Sequence, residues 1–455
     1  MGGPVPLRAL VCAALLAATC TQPAAATTPI DVVVRRALAD YPTIRGAQSQ
    51  RNVAGFQVEE AKSLHLPEVN IGASGKVSGT AITTPLPRMR LNIYAGGSIE
   101  AEVEQRTLLE EAAAYNEAAV RDTVAFNASQ AYLRVLRAYR LVEVQQRSAA
   151  RHEKLVADFE AISRIDQGRR SDLVQASARL ELVRSLLNDR LADLASAQQV
   201  LRRYYPDPLE PAQLTLPDPK AGASGLPAPP PLDDNPSVVA ARRDLLSAEA
   251  QARVLRLRKL PRLDFEAVGG KEALSQVLLS WRAFDPTLSA AERAAVAAVL
   301  GSESLLRETE LQVLENRRQA MQDFESANRK FMQAQTQNRY DRELVDMFYE
   351  QFRVGRRPLL DLLTAFGELA NSETNVEGSR VDRTLASYRY QLAVGRLADE
   401  FDGGAGRPAG TLPPGSGTSG APADAPAAAP TVASPTAAPT APPSAPLAPP
   451  AAAPR

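Results

Sequence analysis

Cysteine is almost absent from this 455-residue chain, which has only Cys12 and Cys20. Both lie within the first 26 residues, which we interpret below as an export segment. The rest of the chain is therefore expected to contain no disulfide bond and no reactive thiol. Its stability must come from helix packing and from oligomerisation.

Histidine is equally scarce, since His65 and His152 are the only two. With no cysteine near them, they are too few to form a zinc or copper site. The Ser, Asp and Glu residues form no recognisable catalytic triad or carboxylate pair. The Gly-Gly pairs at residues 96–97 and 269–270 do not match a phosphate-binding loop. The sequence predicts neither an enzyme nor a protein that holds a cofactor or metal.

Net charge and long apolar runs are also missing. The 52 basic residues balance the 52 acidic ones, so no strongly basic face indicates nucleic-acid binding. Beyond the first 26 residues there is no apolar run of the roughly 20 residues that a membrane-spanning helix needs. This excludes a helical membrane protein.

The first segment, residues 1–26, is predicted to be a signal peptide. It has Arg8, an apolar run at residues 10–18 and three alanines at residues 24–26, as cleaved export signals do. The residues before Cys20 loosely resemble a lipidation motif, so lipid attachment at Cys20 is the alternative.

The last segment, residues 403–455, consists mainly of Pro, Ala, Gly, Ser and Thr and has almost no charge. Such a composition cannot bury enough apolar surface to fold, so a disordered tail is predicted. The folded body is predicted to span residues 27–402.

The body contains an internal repeat. Asp40-Tyr41-Pro42 recurs as Asp234-Asn235-Pro236, and Leu66-Pro67 recurs as Leu260-Pro261, each 194 residues later. Between these prolines, each copy has a helical pattern that proline ends. The predicted helices cover residues 47–64 and 238–259.

The two repeats are predicted to span about residues 30–205 and 232–402. The segment between them, 206–231, is rich in Pro and Gly. We predict a surface linker there, without structure of its own.

Alternating apolar and polar residues after each Leu-Pro pair predict β-strands. The four strands are expected at residues 68–73, 88–94, 262–268 and 276–284. Each is close to the length that a tilted strand needs to cross a bilayer. Charged residues on one face, such as Arg88, Arg90 and Glu266, favour a watery lumen. A half-buried sheet in a soluble domain is the alternative.

Four strands cannot close a membrane barrel, because even the smallest need about eight. If the strands span a membrane, several chains must share one barrel. Three chains would supply twelve strands.

Long runs rich in Ala, Glu, Arg, Gln and Leu follow each pair of strands. They predict helices at residues 98–159, 172–205, 290–351 and 359–400. Apolar residues recur in steps of three and four, as at Leu173, Ala176 and Leu180, which predicts coiled-coil packing. A soluble coiled-coil rod would account for the helices, but not for the strands or the duplication.

A glycine interrupts each pair of long helices, at turns that we call the first tip, residues 168–172, and the second tip, residues 354–357. Asp361 follows in the first turn of the next helix, where a carboxylate complements the helix dipole. We interpret the tips as the ends of two helical hairpins. Copies from several subunits would meet there, at the inner end of a tube.

The order of these features over residues 30–402 resembles the TolC-type outer membrane factors. The resemblance rests on the repeated Tyr-Pro or Asn-Pro opening, the two Leu-Pro pairs, the turn Tyr94-Ala95-Gly96-Gly97, and residues 354–365, which match the family's second tip without a gap. It implies a mostly α fold with a small β part. Duplicated coiled-coil helices would form an α-barrel, and four strands per chain would contribute to a trimeric, twelve-stranded membrane β-barrel.

The resemblance also implies roles for tip residues. Asp361, the counterpart of Asp172, would form a ring of carboxylates at the narrow inner end. Thr364 stands where some members have a second aspartate, so this ring should be less negative. Arg357 matches an arginine that holds the closed state by pairing with an acid on the neighbouring hairpin, for which Asp172 is the candidate. The turns that would dock an adaptor protein contain Gly168, Arg169, Gly355 and Arg356.

The implied function is a homotrimeric exit duct in the outer membrane of a Gram-negative bacterium, with its helical part in the periplasm. Its partners would be outer membrane lipid, a periplasmic adaptor (a membrane fusion protein) and an inner-membrane ABC or proton-driven transporter. The sequence at residues 166–176 favours type I secretion of a large adhesin or RTX-type cargo. Drug or small-molecule efflux is the alternative. A soluble periplasmic scaffold or adaptor is the alternative of another class.

Overall fold

The computed structural model describes residues 29–74, 84–165, 167–217, 226–269 and 274–403. The predicted signal peptide with Cys20, and the predicted tail beyond residue 403, lie outside these residues. The main elements in chain order are α1 Ile30–Asp40, α2 Pro42–Ser63, β1 Glu68–Ser74, β2 Thr84–Tyr94, α3 Ser98–Ile165, α4 Arg170–Arg202, α5 Pro236–Leu257, β3 Arg262–Val268, β4 Leu274–Ser280, α6 Pro286–Arg353, α7 Leu359–Val394 and α8 Leu397–Asp402. The prediction of a mostly helical fold with a small β part is confirmed.

Each repeat contains a helix that begins at a proline. α2 and α5 start at Pro42 and Pro236, earlier than the predicted starts at residues 47 and 238. Proline is favourable at the first helical position because its φ is already helical and its missing N–H is not needed there. At the start of α5, the side chain of Asn235 also accepts a hydrogen bond from the backbone N–H of Ser237 at 3.1 Å.

The long helices α3 and α6 each contain 68 residues. At 1.5 Å per residue, each is about 100 Å long. Both extend beyond their predicted bounds, since α3 continues to Ile165 and α6 already begins at Pro286. The start of α6 is capped by Asp285, whose carboxylate accepts hydrogen bonds from the backbone N–H groups of Thr287 and Leu288. No helix in the described ranges combines the length and the apolar character that crossing a membrane requires.

The predicted helix 359–400 is divided at Gly395. This residue has a φ of 79°, and its N–H donates to the carbonyls of Gln391 and Leu392, both at 3.0 Å. A left-handed glycine of this kind ends a helix, so α7 stops there. After the break, α8 is fastened to α3 because Asp402 pairs with Arg121.

Replacing Gly395 with alanine is expected to lower the free energy of unfolding by at least about 1–2 kcal/mol, the cost of a left-handed conformation for a residue with a Cβ. The added Cβ would also lie 2.5 Å from Cδ of Pro236, which is closer than van der Waals contact allows. Gly367 is the matched control, because a Cβ on this α7 glycine would meet nothing within 4 Å. Gly367→Ala should stabilise the protein by up to about 1 kcal/mol. Urea midpoints that fall equally in both variants would contradict this account.

The four strands form one antiparallel sheet in the order β1-β2-β3-β4. The pairing of β2 with β3 joins the two repeats, and Asn92 donates a hydrogen bond to Asp264 across it at 2.8 Å. Strand β4 was predicted to reach residue 284 but ends at Ser280, because residues 281–285 connect it to α6.

The two faces of the sheet have opposite character. One row on the polar face pairs Glu68, Arg90, Glu266 and Gln276 across all four strands. On the other face, apolar side chains remain exposed, among them Val69, Ile71, Val277 and Leu279. The predicted alternation is therefore confirmed, and its apolar side is uncovered in a single chain.

The largest hydrophobic core lies where α1, α8 and the linker pack on the middle of α3. Tyr132 is fully buried there, and its hydroxyl exchanges hydrogen bonds with the backbone of Thr215 at 2.8 and 2.9 Å. Leu214 of the linker is also buried. The prediction of an unstructured surface linker was wrong for this part, which contains the short 3-10 helix Pro211–Gln213.

Candidate functional site at the helical tips

The two tips differ in how they turn the chain. The first tip begins within a short 3-10 helix, Gln167–Arg169, which leads directly into α4. The second tip turns at Gly355, whose φ of 73° is one that glycine adopts without strain. There the N–H of Arg356 returns to the carbonyl of Gln351 at 2.9 Å, which closes the end of α6.

A common hydrophobic core, the tip core, holds the two hairpins together near these turns. The buried residues of the tip core are Leu155, Phe159, Ala176, Val345, Leu359, Leu362, Leu363, Ala365, Phe366 and Leu369. They come from α3, α4, α6 and α7, so all four long helices meet there. Displacing one hairpin from the other would expose this apolar surface to water.

Arg357 is held within its own hairpin. Its guanidinium pairs with Asp361 at 3.2 Å, donates to Gln351 at 2.9 Å, and lies over the ring of Phe348 at 3.9 Å. The predicted partner Asp172 is therefore not the one that Arg357 has in this chain. An i, i+4 carboxylate on the following helix is closer than one on another hairpin.

The other predicted tip residues lie at the surface. Gly168, Arg169, Gly355 and Arg356 are exposed, whereas Asp172 is half-buried. In the part of the chain that the structure describes, Asp172 forms no ion pair. Asp361 lies in the first turn of α7, as predicted, but its carboxylate forms an ion pair with Arg357.

One buried carboxylate near the tips escaped the sequence analysis. Glu373 of α7 is buried and lies between Arg151 of α3, at 3.2 Å, and Arg342 of α6, at 3.4 Å. It therefore ties three helices from both hairpins. Its signal was present in the sequence, because Glu373 continues the three-and-four stepping of Leu362, Phe366 and Leu369, where an apolar residue is expected.

A buried histidine lies next to the ion pairs of Glu373. His152 shares an α3 turn with Arg151, contacts the ring of Phe366 edge-on at 5.4 Å, and bonds through Nδ1 to the carbonyl of Ser148 at 2.9 Å. Burial lowers the pKa of His152, and the positive charges of Arg151 and Arg179 lower it further, although the bond to Ser148 acts in the opposite direction. The side chain is therefore neutral at pH 7.

Stability is expected to fall as the pH drops below about 6.5, the pKa of an unfolded histidine. In that range the unfolded chain takes up the proton and the folded chain does not, so acid favours unfolding. In His152→Leu this part of the pH dependence should disappear, which urea unfolding between pH 7.5 and pH 5 would measure. A variant with the same slope as the unmodified protein would show that other groups cause it.

Among the described residues, no group of three or more His, Cys, Asp or Glu side chains is placed to hold a metal ion.

Comparison with known proteins gives a likeness of fold. No family model and no curated protein sequence matches the chain. Solved structures do match, with sequence identities of 15–18%. CmeC, an outer membrane channel of Campylobacter jejuni, has a TM-score of 0.69 at 15% identity, and the match covers 80% of this chain and 85% of CmeC.

Two further structures extend this result. VceC, an outer membrane protein of Vibrio cholerae, has a TM-score of 0.68 at 16% identity over 80% of this chain and 96% of its own. The MtrE outer membrane channel of Neisseria gonorrhoeae, in its open state, has a TM-score of 0.63 at 17% identity over 80% and 88%. At such identities the likeness concerns the fold.

Proposed function

We propose that this chain, which has the fold of the TolC-type outer membrane channels, is one subunit of an outer-membrane duct. The observation that carries the proposal is the sheet, which has one charged face and one exposed apolar face. Such a sheet suits a wall between water and lipid. The duct is passive and performs no chemistry of its own.

The order of the strands supports an assembly of several copies. Strands β1 and β4 are at the two edges, where their outer hydrogen-bonding groups have no strand partner within the described chain. Open edges of this kind pair with other strands. Three copies joined edge to edge would close a twelve-stranded barrel, so we propose a homotrimer.

A fractionation experiment tests this proposal against the soluble scaffold. The duct predicts recovery in the outer membrane, a requirement for detergent, and an oligomer band on gels that shifts to the monomer position on heating. A stable monomer in the soluble periplasmic fraction, without detergent, would exclude the duct and favour the scaffold.

We further propose that the helical part lies in the periplasm and receives cargo there. A periplasmic adaptor would bind the tips, and an inner-membrane ABC or proton-driven transporter would supply the energy. The residues around the first tip support type I secretion of a large adhesin or RTX-type protein, and small-molecule efflux is the second candidate. Deletion of the gene would abolish secretion of one large protein in the first case and raise drug sensitivity alone in the second.

Asp361 is proposed to line the narrow inner end, as one carboxylate from each subunit. Asp361→Ala should lower the cation-to-anion permeability ratio by about two- to threefold, which corresponds to the ~0.4–0.7 kcal/mol of an exposed charge. The effect is modest because Arg357 already balances this carboxylate. Conductance in planar bilayers measures it, with Thr364→Ala, an exposed and uncharged position in the same helix, as the matched control. Unchanged selectivity in Asp361→Ala would count against the ring.

A further inference from the structure

A groove of about 580 Å³ runs along α3, between α4 and α7. We call it the α3 groove, and its lining lies within residues 127–141 of α3, 190–204 of α4 and 381–385 of α7. At 1.5 Å per residue, the α3 part of the lining is about 20 Å long. Volumes of this size are typical of sites that bind small molecules. The α3 groove lies away from the turns of the hairpins and contains none of the tip residues.

The floor of the α3 groove is apolar and held in place by the core beneath it. Ala131, Ala138, Ala197 and Val381 line the groove and are buried members of the largest hydrophobic core. Leu385 also lines it and packs against the same core. Because the core fixes these residues, the apolar body of a ligand can lie on the floor without a rearrangement of the helices.

Three arginines and two carboxylates line the same groove. Arg137 pairs with Asp382 at 2.9 Å. Arg190 pairs with Asp193 at 3.4 Å. Arg134 is exposed one helical turn from Arg137, and in the part of the chain that the structure describes it forms no ion pair. Since both carboxylates of the lining are already engaged, Arg134 leaves a net positive charge beside the apolar floor.

The neighbouring arginine is positioned by a glycine. Gly378 of α7 is buried, and a Cβ added to it would lie 3.2 Å from Nη2 of Arg137. The missing side chain lets the guanidinium of Arg137 lie against α7, where Asp382 accepts its hydrogen bond. Arg134 is therefore the cation of the lining that is open to an incoming anion.

An aromatic side chain extends the apolar lining at one end. Tyr204 of α4 lines the α3 groove, and its ring stacks on the ring of Tyr41 with 5.0 Å between the centroids. Stacking orients the ring of Tyr204, so that this end of the groove has a fixed apolar wall. The lining thus combines a long apolar surface with one unpaired positive charge.

We propose that the α3 groove binds an elongated amphipathic anion, a molecule with an alkyl or aryl body and one anionic head group. The body would lie along the floor, and the head group would pair with Arg134. An inorganic anion would use only the arginine, and a neutral apolar solute would use only the floor. The inference rests on the proposed function, since it names a class of small solute for which the duct would carry a site.

Octyl sulfate and octyltrimethylammonium serve as probes, because they have the same alkyl body and opposite head groups. Inorganic sulfate, which has no apolar body, is the third probe. Binding to the full chain in non-ionic detergent is measured by isothermal titration calorimetry. Protein-free micelles provide the blank, because the two octyl compounds also enter micelles.

Four substitutions of the lining and its surroundings accompany the unmodified protein, and one restores the charge. Arg134→Gln removes the positive charge, and Arg134→Lys keeps it. Arg147→Gln is the control, because Arg147 is another exposed α3 arginine and lies outside the groove. Val200→Trp fills the groove from its wall, where Val200 is 40% exposed. Val174→Trp makes the same change at an exposed α4 site outside the groove.

Octyl sulfate should bind the unmodified protein at least about fivefold more tightly than either other probe. Arg134→Gln and Val200→Trp should each weaken its binding at least about fivefold, the first through the lost ion pair and the second through the filled floor. Arg134→Lys and the two controls should stay within about twofold of the unmodified protein. These differences require both the charge and the apolar floor.

The proposal is overturned if octyltrimethylammonium binds as tightly as octyl sulfate, or if either groove variant keeps its full affinity. It is also overturned if octyl sulfate binds the protein no better than the micelles. In that case a loss of the oligomer band in Arg134→Gln would assign the arginine to a contact between subunits.

The same preparations separate this proposal from the duct itself. Oligomer mobility and bilayer conductance of the unmodified protein report on the duct and do not depend on the probes. Absent conductance with specific binding of octyl sulfate would refute the duct and leave the binding site established. Normal conductance without binding would refute the site alone.

Discussion

Replacing Phe159 with alanine is expected to lower the free energy of unfolding by about 3–5 kcal/mol, as large-to-small changes in a well-packed core do. Phe159 is completely buried in the tip core, and its ring packs against that of Phe352 at 5.6 Å. The substitution would leave a cavity between α3 and α6 near the end of each helix. We expect a lower urea midpoint and faster proteolysis at the tips.

Phe56→Ala provides the control for this change. Phe56 lies in α2 and is 67% exposed, so removing its ring leaves no internal cavity. Its free energy of unfolding should stay within about 0.5 kcal/mol of that of the unmodified protein, as at most surface sites. A Phe159 variant that is as stable as the Phe56 variant would show that the tip core is loosely packed.

Replacing Glu373 with glutamine is the second change with a large expected effect, about 3 kcal/mol. Glutamine has nearly the same shape, but it leaves Arg151 and Arg342 without their shared carboxylate. Arg151 is the more buried of the two, and among the described residues its Nε has no hydrogen-bond partner. The uncompensated charge would destabilise the junction of both hairpins, which urea unfolding followed by circular dichroism would detect.

Asp382→Asn is a matched control, because Asp382 also lies on α7 and also pairs with an α3 arginine. Its carboxylate is 2.9 Å from Arg137, but both side chains are about half exposed. Pairs of this kind contribute only about 0–1 kcal/mol. If both variants lose equal stability, burial does not distinguish the two pairs and Glu373 has no special role.

Much of the fold could be predicted because prolines mark equivalent positions in the two repeats. The residues Pro42 and Pro236 open equivalent helices, and the alternation after each Leu-Pro pair marks the strands. The break at Gly395 was missed because a single glycine inside a helical pattern is often tolerated. Here Gly395 lies against Pro236, and this tertiary contact is what distinguishes it from a glycine that a helix tolerates.

The candidate site was predictable only in part. The glycine turns and the place of Asp361 followed from the sequence, but the partner of Arg357 depended on which acid lies nearest in space. The ion pairs of Glu373 depend on the relative register of three helices, which the spacing within one helix does not determine. The anchoring of Thr215 by Tyr132 likewise involves residues 83 positions apart.

The central seam of the sheet, where β2 meets β3, has a consequence for biogenesis. The seam joins residues as distant as Asn92 and Asp264, which are 172 positions apart. During synthesis the hairpin of β1 and β2 must therefore keep one edge of β2 unpaired, since pairing between distant segments forms late. An open hairpin of this kind aggregates readily, so this polypeptide should depend on a holding chaperone until its second half has been synthesised.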